Sequence, residues 1–257
     1  MNNIWMYWEN VGKQTPEYIN LCIQSIEKHK GNSQLNLLNQ DSINQYLPDL
    51  RPEWHKLKRA AHKADYIRTR LAYKYGGMWL DCDMVALEDI EPLFSFPDNY
   101  DYACQNIGTS IGCFVARPGC ELLKRVIEAQ DKVLNENLLG FQWNGIGNEL
   151  LREYGKDYPH YEWPKWTLDE ISGGKVSKLL SRQESIEDNL SGNAVIFHFC
   201  NEAVGPLVKK YVKDRELLTS NMLMSKIFRK ALVIEGNGNN NFSFLEYFKT
   251  MLEKLRS

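Results

Sequence analysis

The sequence predicts an α/β protein built on a mainly parallel sheet, and three observations carry that expectation. An apolar run, Ile4-Trp5-Met6-Tyr7-Trp8, is followed by a helical pattern and then by a second apolar run at 35–38. This β-α-β order generates parallel sheets. A long helical pattern ending in Gly76-Gly77 then leads directly into the strand-like Met78-Trp79-Leu80, repeating the α-to-β step. Finally, the 257 residues are 43% hydrophobic and 25% charged, ordinary values for a chain that buries a sizeable core without metal or disulfide staples.

The elements follow in order. Pro16 suits the first turn of a helix over 17–28, and Gly31 closes it. After a turn-rich stretch at 41–50, the clearest helical pattern runs from 52 to 75 and stops at the double glycine. The strand at 78–80 ends in Asp81-Cys82-Asp83. Strands are expected at 100–105 and 111–116, and a helix at 118–134. The stretch 139–190 mixes Gly145, Gly147, Pro159, Pro164, Gly173 and Gly174 with clustered aromatics, the composition of long functional connections. Residues 194–200 form the last expected strand, and helical periodicity returns over 206–234. A Gly/Asn-rich joint at 236–241 then precedes an amphipathic helix at 242–255.

Composition excludes several functions. With 31 basic and 33 acidic side chains the net charge is -2, which removes nucleic-acid binding by bulk charge. No apolar run approaches the roughly 20 residues of a membrane-spanning helix, and mean hydropathy is -0.46. The N-terminus lacks the basic and apolar regions of a secretory leader. Six scattered cysteines without a Cys-x-x-Cys pair read as reduced core residues rather than a zinc site, so a cytoplasmic protein is expected. The amphipathic helix at 242–255 would dock on its own domain or a partner, or touch the inner face of a membrane peripherally.

Two constellations carry chemistry. On the helix at 52–75, a face made of Leu57, Ala60, Ala61, Ala64, Leu71, Ala72 and Tyr75 has Arg68 at its centre and Asp65 at its edge. Burial of an arginine costs several kcal/mol unless it is paired. The pair is either a structural ion pair or a device that presents guanidinium donors to phosphate or sugar oxygens. Asp81 and Asp83 follow a strand, and in an extended chain residues i and i+2 project from one face. Carboxylates beyond the carboxyl end of a strand in an open α/β sheet sit where ligands bind, and they suit Mg²⁺ or Mn²⁺. Trp8 closes the first strand and could stack on a nucleobase or pack in the core. His198, on the last strand, is either a core histidine or a third metal ligand.

The block from Ala64-Asp65 through Arg68 and Gly76-Gly77 to Asp81-Cys82-Asp83 resembles the sugar-binding region of the Asp-x-Asp glycosyltransferases. The group includes capsular polysaccharide synthesis transferases, initiating mannosyltransferases and glucosylating toxins. The opening strand ending in Trp8 and the segment Phe197-His198-Phe199 are similar to the family's first and late strands. The resemblance implies a GT-A fold in residues 1–235, with 236–257 as a C-terminal extension. It further implies a divalent cation, Mn²⁺ or Mg²⁺, at Asp81, Asp83 and His198, with Trp8 on the base. Asp65 and Arg68, read as the catalytic pair, would hold the hydroxyls of a UDP- or GDP-linked donor sugar. The implied reaction is hexose transfer to a glycan or lipid-linked acceptor with retention of configuration. Asn148 and Glu149, after Gly145-Ile146-Gly147, are candidates for the turn opposite the donor sugar.

The sequence departs from the family pattern at 198–205, where His-Phe-Cys-Asn-Glu-Ala-Val-Gly replaces its His-His-Trp and Ser-Trp runs. The residues also admit two other readings. One is a nucleotide-sugar-binding protein without turnover. The other is an aspartate-nucleophile phosphatase using Asp81, for which the expected later lysine and acidic pair are not evident.

Overall fold

The computed structural model describes residues 1–10, 14–107, 111–135, 145–171 and 173–233. The expected joint and amphipathic helix at 236–255 lie outside the described residues, as does the boundary at 235. In chain order the elements are β1 (Asn3–Tyr7), α1 (Glu17–His29), β2 (Gln34–Leu38), α2 (Ile43–Tyr46), α3 (Ala60–Tyr75), β3 (Gly77–Leu80) and β4 (Met84–Ala86). There follow β5 (Tyr102–Cys104), β6 (Cys113–Ala116), α4 (Glu121–Asn135), α5 (Asn148–Gly155), β7 (Tyr161–Glu162) and β8 (Leu168–Glu170). The last are β9 (Ile196–His198), α6 (Asn201–Tyr211), α7 (Glu216–Thr219) and α8 (Leu223–Leu232).

Six strands form the main sheet in the order β2-β1-β3-β6-β5-β7. The β1–β2, β1–β3 and β5–β7 pairings are parallel and the two involving β6 with β3 and β5 are antiparallel, so the expected mainly parallel sheet is present. Both of its faces are covered, and its strands accordingly alternate between two apolar clusters. Ile4, Met6, Met78, Leu80 and Val115 face the cluster that includes α1 and α8, whereas Trp5, Tyr7, Trp79 and Phe114 face the one built with α3 and α4. A smaller sheet, β4-β9-β8, continues the first cluster.

The structure corrects three expectations. The helix at 52–75 is broken: Pro52–Lys56 is a 3₁₀ turn, Leu57 and Arg59 are extended, and α3 starts at Ala60. Trp54 and Leu57, on either side of the end of that turn, are both buried in the second cluster. Asp81–Asp83 is a turn rather than an extended run, closed by Met84 N–H donating to the Asp81 carbonyl at 3.1 Å. That turn carries the chain from the large sheet into the small one. The helical region at 206–234 resolves into α6, α7 and α8, with α6 starting five residues before Pro206. Its start is fixed from afar, because the Asp83 carboxylate accepts the Asn201 N–H at 2.6 Å.

Candidate active site at the strand ends

β1 and β3 run parallel with Trp5 opposite Trp79, so both end at the same sheet edge and deliver Trp8 and Asp81 side by side. α3 packs on both strands and lays Asp65 and Arg68 over that edge. The result is a cleft of about 600 Å³ lined by Trp8, Asp65, Arg68, Asp81, Asp83, Asn148 and His198, among others. Of the sequence-predicted residues, Glu149 alone is not part of it: on α5 its side chain is exposed and does not line the cleft.

Arg68 is the hub. Its Nη2 lies 3.2 Å from Asp65 Oδ1 and 3.0 Å from Asp81 Oδ1, and its guanidinium stacks 5.0 Å from the Trp79 ring centroid. Trp79 Nε1 donates to Asp81 Oδ1 at 2.8 Å, which fixes that carboxylate on the strand side of the cleft. Arg68 Nε and the Tyr7 hydroxyl are buried without a hydrogen-bond partner among the described residues, although both residues line the cleft. Buried donors of this kind are costly unless a ligand satisfies them.

Asp83 belongs to the opposite wall. Its Oδ2 accepts from the backbone of Asn201 at 2.6 Å and lies 3.3 Å from His198 Nε2. The other imidazole nitrogen, Nδ1, faces Cys200 Sγ at 3.5 Å and Glu170 Oε2 at 3.7 Å. Glu170 reaches His198 because β8 pairs with β9 in parallel, with these two residues in register. Glu170, Cys200 and Asn201 were not picked out from the sequence, since nothing local ties residue 170 to residue 198.

The site packs tightly around the acids. Gly147 abuts Asp65 so closely that a Cβ there would lie 2.5 Å from Asp65 Oδ2. Asn148 Oδ1 accepts the Ile111 N–H at 2.6 Å and so ties the 145–148 turn to the end of the neighbouring strand. Burial opposes charge throughout. It raises the Asp65 carboxyl from 3.8 to about 6, with Arg68 pulling the other way and Asp81 adding to the rise. It raises Asp81 as well, against Arg68. At Asp83 burial is outweighed by His198 and the Asn201 N–H, which hold the carboxyl below its usual range.

Six carboxylates, from Glu9, Asp65, Asp81, Asp83, Glu170 and Glu202, line the cleft against the guanidiniums of Arg59 and Arg68. Such a surface rejects a bare diphosphate and attracts a cation. Hard carboxylate oxygens from Asp81 and Asp83, with an imidazole 3.3 Å from the latter, are the donor types that Mg²⁺ or Mn²⁺ takes, so the chemistry of these residues suits the expected metal.

Among solved structures, the galactosyltransferase LgtC covers 91% of this chain and 97% of its own at 8% identity, with a TM-score of 0.53. The glycosyltransferase GlyE of Streptococcus pneumoniae TIGR4 covers 90% of this chain at 11% identity with a TM-score of 0.51. This is the GT-A glycosyltransferase fold. A further GT-A structure, the bifunctional glycosyltransferase WbbM, aligns over 96% of the chain at 11% identity with a TM-score of 0.50. The chain spans 63% of the length of GlyE and 51% of that of WbbM. Residues 1–106 match the family of capsular polysaccharide synthesis proteins, and that segment contains β1, α3 and the Asp81–Asp83 turn. No curated protein matches the chain by sequence. No helix among the described residues is long and apolar enough to cross a membrane.

Proposed function

We propose that the protein is a metal-dependent glycosyltransferase that moves a hexose from a nucleotide-diphosphate sugar, UDP- or GDP-linked, to a glycan or lipid-linked acceptor in surface polysaccharide synthesis. The observation that carries this reading is the convergence of Asp65, Arg68, Asp81 and Asp83, drawn from one helix and one strand end, on a single GT-A cleft. Asp81, Asp83 and His198 would hold the cation. A bound Mn²⁺ or Mg²⁺ offsets the charge that develops on the departing nucleoside diphosphate.

The chain's own residues do the rest. Arg68, clamped between two carboxylates and an indole face, presents a donor whose position is fixed before the ligand arrives, and such preorganisation favours the transition state over the ground state. Asp65 would accept from sugar hydroxyls at the wall of the cleft. Trp8 offers its ring to the base, its Nε1 already tied to Asn10 Oδ1 at 2.9 Å. Retention of configuration is the expected stereochemical outcome. Asp81 suits this role better than that of a phosphatase nucleophile, because Oδ1 is engaged by both Trp79 and Arg68.

The test is nucleoside-diphosphate release from a panel of UDP- and GDP-sugars with Mn²⁺ or Mg²⁺, with and without glycan acceptors. Asp83→Ala should abolish the metal-dependent reaction, and Arg68→Ala should cost at least 100-fold in rate (~3 kcal/mol of transition-state stabilisation). Unchanged turnover in Asp83→Ala would remove the metal assignment. Binding of a nucleotide sugar without turnover on any acceptor would reduce the protein to a binder.

A further inference from the structure

We propose that Cys200, His198 and Glu170 form a second divalent-cation site at the rim of the cleft, suited to a thiophilic ion such as Zn²⁺, which shares His198 with the Asp81/Asp83 site but differs from it in its other ligands and its chemistry. The three residues offer one ligand atom each, all within 4.8 Å of one another. Zn–S and Zn–N bonds of about 2.3 and 2.0–2.1 Å in a tetrahedron place sulfur and nitrogen about 3.5 Å apart, and nitrogen and oxygen about 3.3 Å apart. Cys200 Sγ is 3.5 Å from His198 Nδ1, and Glu170 Oε2 is 3.7 Å from Nδ1 and 4.0 Å from Sγ. The Glu170 side chain is half exposed, so closing the last few tenths of an ångström requires only a rotation of that group.

The far side of the imidazole has the matching arrangement. A histidine that binds a metal through one nitrogen commonly donates its other N–H to a carboxylate, which fixes the ring. Here Nε2 lies 3.3 Å from Asp83 Oδ2. The thiol is also placed deliberately: Cys200 has φ of 53°, in the left-handed region that a non-glycine residue seldom adopts, at the junction of β9 and α6. Of the six cysteines it alone is not buried. On binding, the thiol gives its proton to solvent as the sulfur–metal bond forms, and water completes the fourth position. Because His198 is shared, a cation on Nδ1 commits Nε2 to Asp83 and withdraws the imidazole from the first site. Zn²⁺ is thereby expected to oppose Mn²⁺-dependent activity.

The test uses the reduced, metal-free full chain and Co²⁺ as the probe. One equivalent should produce a near-ultraviolet thiolate-to-cobalt charge-transfer band together with the visible bands of a tetrahedral ion. Cys200→Ser should abolish the charge-transfer band, Glu170→Gln should weaken Co²⁺ binding tenfold or more, and Asp81→Asn should leave the band in place. Absence of the band in the wild-type protein, or its survival in Cys200→Ser, overturns the proposal. A second measurement needs no variant: one equivalent of Zn²⁺ should slow alkylation of Cys200 by iodoacetamide at least tenfold, read by peptide mass spectrometry. Equal alkylation with and without Zn²⁺ also overturns it.

Discussion

Asp65 shows how a charged cleft residue is held against its own preference. Its carboxyl is 7% exposed, and burial raises it from 3.8 to about 6 despite Arg68 at 3.2 Å. A carboxyl raised in the folded state contributes stability that is complete below the unfolded value and is lost as pH rises through the folded one. In a chelating buffer, wild-type stability relative to Asp65→Asn should therefore fall by about 2.5 kcal/mol between pH ~4 and pH ~7, measured by urea unfolding. A difference that stays flat across this range would mean that Arg68 fully compensates the buried charge. The Asp65–Arg68 pair was legible in the sequence because a charge in an alanine-rich helical face is anomalous on its own. Its engagement with Asp81 was not, since Arg68 and Asp81 meet only after α3 and β3 are packed together.

Elements are joined by groups that no local pattern reveals. Gln130 on α4 is fully buried. Its Nε2 donates to the Asp65 and Ile146 carbonyls at 3.0 and 2.9 Å, and its Oε1 accepts from Thr69 Oγ1 and Arg70 Nη1 at 2.9 and 2.7 Å. One amide thus fastens α3, α4 and the Gly145–Gly147 turn behind Asp65. Gln130→Leu leaves these groups unsatisfied and should cost ~2–4 kcal/mol in urea unfolding, with a rise in donor KM from the displaced Asp65. A wild-type denaturation midpoint would refute the role. The double glycine that ends α3 makes a sharper contrast. Gly77 has φ of +105° and a Cβ there would sit 2.4 Å from the Asn3 carbonyl oxygen, whereas Gly119, at φ +78°, has nothing within 4 Å. Gly77→Ala should pry β1 from β3 and cost several times the ~1 kcal/mol expected of Gly119→Ala, which meets only backbone strain. Similar losses in the two variants would show that φ alone governs both. Unbroken apolar runs located β1 and β3, and helical periodicity located α1 and α4. It overran the start of α3 and merged three helices after residue 200, because those ends are set by Trp54, Leu57 and the distant Asp83 carboxylate.

At the scale of the whole molecule, a net charge of -2 conceals a strongly acidic cleft. In the proposed reaction, six lining carboxylates against two arginines would make cation and donor binding interdependent: the cation would need the acids, and the diphosphate would need the cation. Neither a nucleotide sugar alone nor EDTA-treated protein with the donor should show a thermal shift. A ligand at about 100 times its Kd adds ~2.7 kcal/mol, which for a chain of this size corresponds to a rise of roughly 5–10 °C in Tm. The right nucleotide sugar with Mn²⁺ should give a rise of that order, and Asp83→Asn should remove it while keeping the apo-protein Tm within a few degrees. A full shift in EDTA would mean that Arg59 and Arg68 neutralise the diphosphate unaided, and the acidic wall would then need another explanation. The same balance would explain why a composition that argues against nucleic-acid binding by bulk charge is silent about the proposed diphosphate ligand. A cation held as proposed by Asp81, Asp83 and His198 would supply locally the positive charge that the chain as a whole does not carry.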